Sequence, residues 1–242
     1  MGLDVYVGPL VRYYLGNWAN DVTQMFVENP EEMRQQLGEN VTAFEMKTGQ
    51  RSLAVSTVSE AIEVIRAWRS TLSESLGGEP LDWQESGEAG YFTRKPGWDS
   101  YQALILWAAY QEAGQPPPLI VPEDAEEDPL LRKSRAALLE SKYPHLLGET
   151  EIWLPGPLSM TFRGPDPTGR KTDFGFAGSL FTELERLNQK TWQADLETIG
   201  KWYKDSIEPG SPLEACARFG FAVFHRLSAT AYGRDLPMVL DY

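Results

Sequence analysis

Leu3, Val5 and Val7 alternate with Asp4, Tyr6 and Gly8, a period of two that predicts a half-buried strand, and Gly8-Pro9 then bends or ends it. Leu10 to Leu15 fits either a resumed strand or the start of a helix. Over Asp21 to Gly38, Asn29-Pro30 interrupts a helical spacing, so two short helices are expected, the second entered through Pro30. The clearest helix runs from about Ser59 to Leu76. There Val58, Ile62, Ile65, Trp68, Leu72 and Leu76 form one stripe, Thr57 and Glu60 have capping-box spacing, and Gly77-Gly78 stops the run.

A polar passage follows in which only Tyr91-Phe92-Thr93 has strand character. The stretch SYQALILWAAYQEAG is then apolar on most faces, which predicts a central helix capped by Asp99 and ended by Gly114 and the prolines at 116–118. A short helix is expected over Leu130 to Lys142 and a short strand over Glu151 to Leu154. Residues 158–176 alternate on both sides of Asp166-Pro167-Thr168-Gly169, the residue order of a type I turn, so they predict a β-hairpin with a basic tip of Arg163, Arg170 and Lys171. Helical spacing returns over Ser179 to Lys190, Ala194 to Lys204 and Pro212 to Tyr232. The closing LPMVLDY alternates as a strand. The sum is an α+β fold, with helices packed on a small mixed or antiparallel sheet. The 242 residues are expected to form a single domain, with a division into two lobes left open at the Pro-rich and acidic stretch 115–129.

Charge narrows the choice of partner. Thirty-five acidic against 22 basic side chains give a formal charge of −13, which repels nucleic-acid phosphates and anionic lipid and favours a basic protein as partner. No run approaches the roughly 18 apolar residues of a membrane span. The start lacks the basic and apolar regions of a secretory signal, and Tyr6 stands where a myristoylation motif has Ser or Thr, so a cytoplasmic location is expected. The single Cys216 reads as a buried thiol. No oligomeric state can be read from the chain.

Catalytic motifs are missing from the sequence. It has no P-loop, no dinucleotide-binding glycine fingerprint and no G-x-S-x-G elbow. With two widely separated histidines and one cysteine, no metal site and no cofactor are expected. His145 reads as a surface residue. His225 lies on a helix whose own spacing brings it no carboxylate, and Glu183 and Glu185, two apart, point in different directions. Asp4, Asp173 and Asp241 are candidates to converge on one sheet edge.

Two groups remain as binding candidates. Asp4, Tyr6, Arg12, Tyr14 and Trp18 combine aromatic rings with a guanidinium, residue types that anchor interfaces, although the same residues can close a core edge. Glu123, Asp124, Glu126, Glu127 and Asp128 form an acidic cluster suited to docking a basic surface, or only a solvated linker.

GLDVYVGPLVRYYLGNW (residues 2–18), GSLFTELERLNQKTW (178–192) and LPMVLDY together resemble an uncharacterised family of bacterial proteins. That resemblance carries over no activity and no catalytic residue. In size and charge the chain is also similar to the acidic immunity proteins that neutralise bacterial toxins, a likeness of composition only. The expectation is a non-enzymatic bacterial binding protein of immunity or inhibitor type that occludes a basic protein. The alternative is a small-molecule enzyme, a hydrolase or nucleotide-modifying activity, with its site near the N-terminal strand and the 158–176 hairpin.

Overall fold

The computed structural model describes residues 2–18, 52–55 and 57–242. The two short helices expected between Asp21 and Gly38 lie outside these. Among the described residues six strands form one mixed sheet, flanked by eight α-helices, an α+β architecture. The strands are β1 (Asp4–Val7), β2 (Phe92–Arg94), β3 (Ile152–Leu154), β4 (Phe162–Pro165), β5 (Lys171–Phe176) and β6 (Met238–Asp241), in the spatial order β2-β1-β6-β3-β5-β4. Only β3 and β5 pair in parallel; every other neighbour is antiparallel. Strands from both sides of the 115–129 stretch therefore pair in the same sheet.

The helices are α1 (Leu10–Tyr14), α2 (Val58–Ser75), α3 (Gly97–Ala113), α4 (Pro129–Ala136), α5 (Pro144–Leu147), α6 (Ala177–Lys190), α7 (Leu196–Trp202) and α8 (Leu213–Gly233). Both faces of the sheet are covered. Val5, Val7, Trp153, Met238 and Leu240 pack beneath α3, α6 and α8, while Tyr6, Ile152, Leu154, Phe174, Phe176 and Val239 pack beneath α1 and α2. Tyr6 is thus a core residue of the second face. Strand alternation left its side open to solvent or a ligand, because a sheet with two covered faces buries both sets of alternating side chains.

Local chemistry explains most of the boundaries. Thr57 and Glu60 form the reciprocal capping box that starts α2. The stretch from Leu10 resolves as a helix because Glu85, 75 residues away, accepts from Leu10 N at 3.2 Å and Val11 N at 2.8 Å, satisfying N–H groups that Pro9 leaves uncapped. Asp99 does not cap α3. That helix begins at Gly97, so Asp99 lies in its first turn, where a carboxylate still favours the helix dipole. Asp166 organises the hairpin turn: its carboxylate accepts from Thr168 N and Arg170 N, and its carbonyl accepts from Gly169 N at 2.8 Å. The long helices α3 and α8 cross closely at Gly220, where a Cβ would stand 2.3 Å from the Ser100 carbonyl oxygen.

Candidate functional site

The opening run is knitted into the fold by its own polar atoms. Tyr6 donates its hydroxyl to the Pro9 carbonyl at 2.9 Å, Tyr13 to Asp241 at 2.6 Å and Tyr14 to Asp166 at 3.3 Å. Trp18 packs on Tyr6 and Tyr13 with ring centroids 5.2 and 5.8 Å apart. Arg12 donates to the Asn17 and Ala89 carbonyls and lies over the Tyr91 ring at 4.5 Å. Burial pushes the Tyr6 hydroxyl far above its ordinary range, against a smaller opposing pull from Arg12, so it remains a proton donor. Asp4 is buried on the same face, directly across from Asp241. Asp173 does not join them, because β6 and β3 stand between its strand and β1.

Most of the acidic cluster is spent on local structure. Asp124 accepts from Glu126 N, and Asp128 caps α4 through Leu130 N and Leu131 N while accepting from the Tyr110 hydroxyl at 2.8 Å. Glu126 pairs with Arg135 and Glu127 with Arg132, and Glu123 is exposed. The cluster nevertheless borders a site, because Glu126 and Arg135 form one wall of a cleft.

That cleft, of about 400 Å³, opens where β3 and β5 begin and β6 ends. The basic hairpin supplies the opposite wall. Arg163 forks onto Asp173, its cross-strand partner, with Nε at 2.9 and 3.1 Å from the two carboxylate oxygens, and approaches Glu149 at 3.7 Å. Asp173 thereby holds the Arg163 guanidinium pKa above its ordinary value. Arg170 reaches back to Glu151 at 3.0 Å, while Lys171 has no ion-pair partner among the described residues. Three rings give the cleft an apolar side: Trp98 meets Tyr242 edge-on at 5.3 Å and Tyr101 at 6.3 Å. Burial pushes Tyr101 up to about 12, so its hydroxyl stays protonated at neutral pH. The sequence marks the hairpin tip and the acidic cluster separately. Their meeting, and the contribution of Trp98, Tyr101 and Tyr242, follow from long-range strand pairing that no local spacing encodes.

His145 departs from expectation, and His225 has a partner that its own helix does not supply. His145 is buried, 1% exposed, with Nδ1 2.7 Å from Glu183, whose carboxylate also accepts from His145 N and Leu146 N. The Pro144-His145 context suggested a surface loop, but α5 docks under α6. Desolvation raises the Glu183 pKa, opposed by those same hydrogen bonds. His225 does have a carboxylate: Glu185 of α6 meets its Nε2. Spacing along α8 alone could not find it, since the partner comes from another helix. The opposed directions of Glu183 and Glu185 thus serve two different histidines.

Cys216 is a buried thiol with its pKa raised by desolvation. Among the described residues no group of three or more His, Cys, Asp or Glu side chains is placed to hold a metal ion, and no helix is long and apolar enough to cross a membrane. Comparison of the chain with protein-family models, with curated proteins and with solved structures returns no match.

Proposed function

We propose that the protein acts by binding, as a non-enzymatic immunity or inhibitor-type protein, and that its cleft receives a cationic side chain from a basic protein partner. The observation that supports this is the composition of the cleft: four carboxylates, Glu126, Glu149, Glu151 and Asp173, outnumber three basic groups, Arg135, Arg163 and Lys171, around the rings of Trp98, Tyr101 and Tyr242. An incoming guanidinium would stack on those rings and exchange with Arg163 on Asp173, or with Arg135 on Glu126. Each of these pairs has one largely exposed member, Arg163 at 61% and Glu126 at 51%, and solvent screening weakens such pairs, so the exchange costs little. The net charge of −13 would speed encounter with a basic surface and make it salt-dependent.

Affinity capture from the host lysate, eluted with rising salt and analysed by mass spectrometry, tests the reading. Wild-type protein is expected to retain one basic protein that salt releases, and an Asp173→Asn, Glu149→Gln variant is expected to lose it. Retention of nothing basic, or equal retention by the variant, overturns the proposal.

A further inference from the structure

A second, smaller cleft of about 330 Å³ lies between α7 and the C-terminal half of α8, remote in sequence from the hairpin and the acidic turn. Its volume is near the lower bound of small-molecule sites, about 300 to 1,000 Å³. Leu196 and Ile199 make it apolar, and Leu196, 78% exposed, stands out of the fold beside it. Gly200 leaves its α7 side open: a Cβ built there meets nothing within 4 Å.

Among the described residues, Arg226 is the one formally charged side chain that lines this cleft. Arg226 lines it with its guanidinium 4.6 Å from the Tyr203 ring centroid, and has no ion-pair partner among the described residues. His225 lines it too, its imidazole flanked by Phe181 and Phe221 at 5.1 and 5.3 Å and held by Glu185. No Asp or Glu lines the cleft among the described residues. In a chain carrying −13, an apolar recess whose one formally charged lining group among the described residues is an arginine with no ion-pair partner among them is complementary to an apolar molecule with one anionic group.

We infer that this cleft binds a small monocarboxylic acid, its aliphatic or aromatic body against Leu196, Ile199 and Gly200 and its carboxylate on Arg226. The imidazole of His225, held by Glu185 and packed between Phe181 and Phe221, forms the wall beside Arg226.

Isothermal titration of the full-length protein with octanoate, with 1-octanol as the uncharged counterpart, tests the site. One equivalent of octanoate is expected to bind more tightly than octanol. Arg226→Gln is expected to weaken octanoate roughly tenfold, the scale of one charge-assisted hydrogen bond, while leaving octanol unchanged. Gly200→Leu fills the open space and is expected to abolish both without lowering the melting temperature, since Leu is the better helix former. Failure of wild type to bind octanoate overturns the inference. So does octanoate binding that survives Gly200→Leu, or that is insensitive to Arg226→Gln. None of these outcomes depends on the charged cleft at the sheet end.

Discussion

Glu183 holds His145 at two points, its carboxylate accepting from the His145 backbone N–H at 3.0 Å while lying 2.7 Å from the ring Nδ1. The pair ties α6 to α5 inside the core. Because the carboxylate is buried and also accepts from Leu146 N, Glu183→Ala leaves two backbone donors and a ring nitrogen without their acceptor. A loss of about 3 kcal/mol is expected in urea unfolding. Glu185→Gln, in the partly exposed pair with His225, is expected to cost under about 1 kcal/mol. Equal losses for the two variants would contradict this division between core and margin.

Glu85 gives a pH signature. Burial raises its carboxyl pKa above the ordinary 4.5, more than its hydrogen bonds from Val11, Trp83 and Leu10 lower it. The folded state therefore binds this proton more tightly than the unfolded chain. Its contribution to stability is fully present below 4.5 and is lost as pH rises through the raised value. Relative to Glu85→Gln, wild type is expected to lose stability as pH climbs from 4.5, read from denaturation midpoints across the range. A difference that grows in favour of wild type with pH would show the opposite sign.

Gly220 marks the crossing of α3 and α8. With a Cβ 2.3 Å from a backbone oxygen, Gly220→Ala must push the helices apart. Roughly 1 to 3 kcal/mol of destabilisation is expected despite the better helix propensity of alanine, measurable as a lowered melting temperature. A stabilised variant would mean that the crossing has slack.

Much of the framework was legible in short-range pattern. The Thr57–Glu60 box, the turn at Asp166 and the alternation of the terminal strands are local devices, so spacing finds them. The expectation of a mixed or antiparallel sheet under helices is met by a mixed one. What spacing missed depends on residues far apart in the chain. The helical state of Leu10–Tyr14 hangs on Glu85, the burial of Tyr6 on a second helical layer, and the partners of both histidines on α6. The cleft divides in the same way. Arg163, Asp173 and Glu126 stood out as charges, whereas their assembly with Trp98, Tyr101 and Tyr242 is a product of tertiary packing.

The central claim, that this cleft receives a cationic side chain, is tested most directly at the Trp98 indole. The protein has eight tryptophans, and Trp98→Phe identifies its indole N–H in a proton–nitrogen correlation spectrum. Titration with a tri-arginine peptide is expected to shift the Trp98 signal saturably, with the shift suppressed by salt and by Asp173→Asn, while tri-glutamate leaves it in place. A Trp98 signal that does not move with tri-arginine, or that moves equally with tri-glutamate, would contradict the account.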